Sequence, residues 1–374
     1  MIERPTAPAA LEALPDEVLV AYFDAVQAAF LAAVAARGRR IDRDHRIGGH
    51  VVRLSSPDPV VLDTMGAALA HLRIDPQPSA ELTIGLWHRG APDARHSPPS
   101  PWGWYARQPG AGAVPHLHFN SHGELPAFRS RRITTAFRIT PHKLRILDGD
   151  RHQAFYWTED VDRIPDYEYC APLRKILAWW MSSRGHQIVH AAAVGRATGG
   201  VLLAGRGGSG KSTTALACLG STLRYAGDDC CLLTAGGAPF VSSLYNSAKL
   251  KTGADVARFP DLADAIHNRR RRDDEKAFLF LHLHRPEFLS AGFPLRALLI
   301  PRVTGRAVPR LVPASAAAGL AALAPSTLRL FPGIESVATR RMAELVARLP
   351  SFHLEVGPDL RRIPGLIAEL LEDS

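Results

Sequence analysis

The residues Gly205-Arg206-Gly207-Gly208-Ser209-Gly210-Lys211-Ser212 have the types and spacing of a phosphate cradle. Glycine at 205, 207, 208 and 210 lets the backbone turn several N–H groups toward one point and leaves no side chain in the way of an anion. Lys211 can reach the terminal phosphates and Ser212 offers a hydroxyl to Mg²⁺, with Ser209 and Thr213 completing the polar lining. The apolar run Val201-Leu202-Leu203-Ala204 before the cradle reads as a strand, and Ser212 to Leu219 reads as a helix whose positive end faces the same anion. The ligands this pattern calls for are ATP and Mg²⁺.

Moving a phosphoryl group also requires a metal-holding carboxylate and a group that orients or deprotonates the acceptor. Asp228-Asp229 follows Lys211 by one helix and one strand, where a neighbouring strand end brings it beside the phosphates. Two aspartates leave one for Mg²⁺ and one for the acceptor. An aspartate turn capping a hairpin has the same spelling. His190, in Ile188-Val189-His190-Ala191-Ala192-Ala193-Val194, reads by itself as a core histidine more readily than as a catalytic one. Lys249 and Lys251 stand where substrate-facing loops are expected and could neutralise charge on the transferred phosphoryl, or be solvated lysines at a helix start. Lys276, with Arg271 and Arg272, could close over the nucleotide or belong to a solvated loop.

Taken together, His190, Gly205 to Ser212 and Tyr225-Ala226-Gly227-Asp228-Asp229 resemble the HPr kinase/phosphorylase family over about His190 to Leu233. That family's nucleotide domain is similar to that of phosphoenolpyruvate carboxykinase. The resemblance implies that the loop binds ATP, that Asp228 is the base toward a substrate serine, that Asp229 is the metal or phosphate partner beside Ser212, and that His190 assists Asp228. The order of the two aspartates stays open. Thr213 stands where the family commonly has an acidic residue, and the family's glycine-rich signature is not recognisable downstream, so the reverse phosphorylase reaction is not expected. The pattern looks more like the divergent HPr-kinase-like proteins, some of which phosphorylate a serine of lasso-peptide precursors. The expected partner is a protein or peptide carrying a serine. A small-metabolite kinase and a non-catalytic ATP-binding regulator are the alternatives.

The elements that must position these residues fall into two halves. Leu14, Val18, Tyr22, Val26, Phe30 and Val34 recur at helical spacing, with Gly38 as the stop. A second helical stretch follows Ser56 and Asp58 to about Leu72, and Glu81 to Trp87 reads as a strand. Ser97 to Gly112, rich in Pro, Gly and aromatics, reads as a loop, and Arg132 to Trp157 as a meander punctuated by Asp148-Gly149-Asp150. A helix over about Tyr167 to Ser183 closes the half. Downstream, strands are expected at Gln187 to Val194, Gly200 to Ala204, Leu223 to Ala226, Cys230 to Leu233, Ala277 to Leu283, Leu295 to Ile300 and Phe352 to Val356, before a helix from Leu360 to Leu371. The expected fold is an α+β N-terminal domain over 1–184, with a substrate-presenting or regulatory role, and an α/β nucleotide-binding domain over 185–374.

Composition narrows the classes further. The 374 residues, 46% hydrophobic and 22% charged, suit a globular chain. The net charge of +9 is spread along the sequence, and the run Arg269 to Arg272 is followed at once by Asp273, Asp274 and Glu275, so no nucleic-acid partner is expected. Asp16, Glu17 and Asp24 interrupt the most apolar early segment, so neither a signal peptide nor a membrane span is expected. Cys170, Cys218, Cys230 and Cys231 lack metal spacing and suit a reducing compartment. A cytoplasmic protein follows as the expectation, with homo-oligomerisation left open. His116, His118 and His122, and separately His282 and His284, alternate as metal ligands on one strand face would, but lack a completing Cys or carboxylate set. Trp102-Gly103-Trp104-Tyr105 suits either a ligand platform or loop packing.

Overall fold

The computed structural model describes residues 13–90, 96–108, 123–140, 142–234, 236–272, 275–306, 308–331 and 335–372. Two compact units emerge: Met1–Asp44, Val51–Thr64 and Pro76–Ile164 form the first, and His45–His50, Met65–Asp75 and Pro165–Ser374 the second.

In the first unit the helix Asp16–Arg37 ends at Gly38, whose left-handed backbone (φ 62°) lets its N–H bond Ala35 O. Its buried stripe, Leu19, Tyr22, Phe23, Val26 and Phe30, packs on Trp87, Phe128 and Phe155 of the sheet. Against expectation, this helix is long and apolar enough to span a membrane by length and composition. Here its apolar stripe is used as core. In the sheet, Leu82–His88 lies parallel to both His50–Ser56 and Gln153–Thr158. The expected meander continues from it, antiparallel, through Lys143–Asp148, Ile133–Arg138 and Glu124–Arg129. The strands Ile41–Ile47 and His50–Ser56 escaped the sequence reading because charged residues interrupt their alternation. The described part of the expected aromatic loop holds a short helix, Pro101–Tyr105, capped by the Ser100 hydroxyl. Trp104 packs on Tyr22 and Trp102 on Phe137, so these aromatics serve as core.

The second unit is mixed α/β. The strand Gly199–Leu203 lies between Ala192–Arg196, antiparallel, and the long strand Gly292–Val303, parallel. Ser351–Val356 runs parallel on the far side of the long strand. Side chains alternate across the sheet with period two. Val201 and Leu203 pack toward the helices Lys211–Ala217 and Ile363–Glu372, through Ala215, Leu216, Ile363 and Ile367. Leu202 and Ala204 pack toward the helices Ala316–Leu330 and Glu335–Ala347, through Leu323, Met342 and Val346. A strand covered on both faces is held rigidly at the end where the cradle begins. The helix Arg174–Ser183, read as closing the first half, groups with this second unit. The strand expected over Ala277 to Leu283 stops at Phe280, and Leu281–His284 is helical.

Candidate active site

The loop strand hands over to the cradle where the Ala204 N–H bonds Leu299 O at 2.9 Å. Gly208 and Gly210 have φ of 83° and 103°. Left-handed backbone of this kind costs a residue with a Cβ about 1–2 kcal/mol. No side chain caps the helix Lys211–Ala217 that follows. Lys211 is buried and folds back on the loop, its Nζ donating to Gly205 O at 2.7 Å and Arg206 O at 3.1 Å. Burial pulls its ammonium below the ordinary lysine value, against the pull of Asp228 and Asp229.

The aspartate pair sits in a break shared by two antiparallel chains. Ala193 pairs with Gly227 and Val189 with Cys231, while His190-Ala191 and Asp228-Asp229-Cys230 leave the ladder between them. The run expected as one strand, Gln187 to Val194, therefore splits into His186–Val189 and Ala192–Arg196. Arg224–Gly227 and Cys231–Thr234 pair with other strands and not with each other, so the aspartates do not cap a hairpin. Asp229 adopts φ 66°, a left-handed conformation that aspartate tolerates better than most residues.

The two carboxylates have different partners. Asp228 is buried; its Oδ1 accepts from Ser212 Oγ at 3.0 Å and from the Asp229 N–H at 2.9 Å. Its Oδ2 is buried without a hydrogen-bond partner. Asp229 Oδ2 accepts from Lys249 Nζ at 2.6 Å, and its Oδ1 lies 3.2 Å from His190 Nε2. The histidine expected beside Asp228 thus faces Asp229, its own backbone N–H bonded to Thr327 Oγ1 at 3.0 Å. Burial, then the charge of Asp229, raises Asp228 above the usual carboxylate value. Burial would raise Asp229 as well, but the Lys249 ammonium and the His190 hydrogen bond outweigh it and hold that carboxyl well below the usual range. Burial would lower Lys249, and the Asp229 charge overrides it and raises the ammonium.

Two cavities meet at Asp229 and Lys249, and the buried Asp228 lines neither. One, of about 550 Å³, is lined by the cradle residues Gly207, Gly208, Gly210, Lys211, Ser212 and Thr213, with Lys251 and Asp255 on another wall and Val303 and Pro358 on an apolar one. The other, of about 690 Å³, is lined by Tyr167, Cys170, Arg174, Phe278, Arg329 and Leu330 among others. His190, Gly207, Asp229, Lys249 and Lys276 line both. Of the expected loop residues, Gly205 and Ser209 line neither; Gly205 offers its carbonyl to Lys211 instead. Arg271 and Arg272 also line neither. Lys249 is a strand residue, on Ser247–Leu250, rather than one at a helix start. Arg174, Arg329, Asp255 and Val303 were not singled out from the sequence, where no local pattern marks them.

Mg²⁺ prefers hard oxygen donors and keeps several waters. The buried, unpartnered Oδ2 of Asp228 beside the Ser212 hydroxyl fits that requirement. Among the described residues no group of three or more His, Cys, Asp or Glu is arranged to hold a metal, at this site included. His282 and His284 lie on a helix, and His282 Nδ1 pairs with Asn246 Oδ1 at 3.0 Å. His116, His118 and His122 lie outside the described residues.

No family model matches the chain, and no curated protein matches it. Among solved structures it is similar to the Hpr(Ser) kinase/phosphatase from Coxiella burnetii, at 12% sequence identity over 50% of this chain and 95% of that chain, with a TM-score of 0.28.

Proposed function

We propose that the second unit is a Mg²⁺-dependent phosphotransferase that moves the γ-phosphoryl of ATP to a serine hydroxyl of a protein or peptide. The observation that carries this reading is the junction of the two cavities at His190, Asp229 and Lys249. A phosphate cradle alone supports binding; a second cavity that reaches the same carboxylate provides for an acceptor. Serine, and lasso-peptide precursors among the peptides, follow from the sequence resemblance.

In this reading the roles of the aspartates are the reverse of those the resemblance implied. Asp228 and Ser212 would hold Mg²⁺, whose charge would offset that of the phosphates when it is bound. Asp229 faces the acceptor. Its depressed pKa keeps it ionised at working pH, so it accepts a hydrogen bond from the incoming hydroxyl and aims the oxygen at phosphorus. As the acceptor O–P bond forms and the bond to the β-phosphate oxygen breaks, the hydroxyl proton passes to Asp229. His190 orients that carboxylate, and the ammonium groups of Lys249, Lys211 and Lys276 offset charge on the phosphoryl oxygens.

The test is incubation of the full chain with ATP and Mg²⁺ against serine peptides and small hydroxy compounds, read by mass spectrometry for phosphorylated product. Transfer to peptides that Asp229→Asn abolishes supports the reading. Tight Mg–ATP binding with no transfer to any hydroxyl would leave a nucleotide-operated switch instead.

A further inference from the structure

The second cavity carries more positive charge than its own acids take up. Arg174 and Arg329 lie on its wall, and among the described residues neither forms an ion pair with a carboxylate. Among the described residues Asp229 is the one acid of the same wall that is matched by a cation; Asp166 and Glu275 accept from neutral donors and keep their charge. Four cations, Arg174, Arg329, Lys249 and Lys276, thus stand against three carboxylates. Asp166 accepts from the Asn268 side-chain amide at 2.6 Å, Glu275 from the Arg272 backbone N–H at 2.9 Å, and Asp229 is matched by Lys249. The Arg174 guanidinium sits 5.8 Å from the centre of the Phe331 ring and also meets the Cys230 side chain, contacts that orient it without pairing it to a carboxylate. Its planar N–H fork suits a carboxylate. Phe278 and Leu330 give the same cavity an apolar lining.

We infer that the acceptor carries, besides the hydroxyl that receives the phosphoryl, a carboxylate bound by Arg174 and Arg329. The two arginines lie in the acceptor cavity and are absent from the nucleotide cavity, so the anion they bind is not part of ATP. A serine peptide with an acidic residue close to the serine has this chemistry. Calling the ligand an acceptor rests on the phosphotransferase reading; the carboxylate site itself does not.

Three fluorescent peptides of equal length, with the serine flanked by Asp, Ala or Lys, are titrated by anisotropy into the full chain with Mg²⁺ and a non-hydrolysable ATP analogue. The Asp-flanked peptide should bind about tenfold or more tightly than the Ala-flanked one, the scale of one charge-assisted hydrogen bond. Arg174→Gln with Arg329→Gln should erase most of that difference while binding of a fluorescent ATP analogue is unchanged, which also reports an intact fold. Arg329→Gln alone, at an exposed position, should erase part of it. No acidic preference in the wild-type chain, or a preference that survives the double substitution, overturns the proposal. Displacement of the acidic peptide by malate at lower concentration than by unlabelled peptide assigns the site to a small hydroxy acid and keeps the arginine pair as the carboxylate site. Phosphoryl transfer is read separately with ATP. Acidic preference without transfer refutes the phosphotransferase reading alone, and transfer without acidic preference refutes this one alone.

Discussion

Replacing Asp229 by Asn changes one atom and separates binding from transfer. The wild-type carboxylate sits 2.6 Å from Lys249 Nζ and 3.2 Å from His190 Nε2. An amide fits the same space, and its oxygen can take the ammonium while its NH₂ turns to the imidazole. Lys249, a buried cation, then has a neutral acceptor in place of a charged one. Losing a whole partner from a buried pair costs about 3–5 kcal/mol. Because one hydrogen bond survives, about 1–3 kcal/mol of stability is the expected loss. The catalytic loss is larger: removing a positioned base lowers transfer by about 10²–10⁴-fold. The Mg–ATP affinity should stay within about threefold, because Ser212 and Asp228 are untouched. The assay pairs a fluorescent ATP-analogue titration with single-turnover transfer to a peptide, or to water if no peptide is accepted. Turnover within about tenfold of wild type, with normal nucleotide binding, would refute the assignment of Asp229.

Asp228→Asn should do the opposite. It keeps an acceptor for Ser212 but raises the Mg²⁺ requirement for nucleotide binding by at least the roughly 10–100-fold that loss of an outer-shell partner costs a metal site; Mg²⁺ titrations check this, and an unchanged requirement counts against the metal role. Lys211→Ala should weaken Mg–ATP binding with little loss of thermal stability, since burial already penalises its ammonium. Equal ATP affinity in wild type and variant would remove the lysine from the phosphate site. In the first unit, Arg132→Gln strips the fork that meets the fully buried Asp148 at 2.7 and 3.0 Å and should cost about 3 kcal/mol at pH 7. Burial would raise Asp148, but Arg132 and the N–H groups of Asp150 and Arg151 lower it. Its contribution is therefore full above the unfolded carboxyl value of about 4 and is lost as pH falls through the lower folded value. The gap between wild type and variant in chemical denaturation should narrow below about pH 4; a constant gap down to pH 3 would contradict the pairing.

What was legible in the sequence was local. The cradle from Gly205 to Ser212 is written in consecutive residues, because the backbone turns it needs depend on glycine within one short segment. The helix of Asp16–Arg37 and the meander were readable for the same reason, through periodicity that survives without knowledge of neighbours. Ile41–Ile47 was missed because charged residues interrupt its alternation, and Leu281–His284 was misread because its Leu-His-Leu-His alternation imitates a strand.

The partners of the two aspartates were not legible locally. From its letters alone Asp228-Asp229 could be assigned either way round. The tertiary structure decided which carboxylate meets His190, 39 residues earlier, and Lys249, 20 residues later, and which meets Ser212. That choice depends on two antiparallel chains leaving their ladder at the same level, with the left-handed turn at Asp229 between the two carboxylates. Arg174 and Arg329 stayed invisible for the same reason. Lining a cavity is a property of where helices end in space, and the sequence around an arginine says only that it is charged.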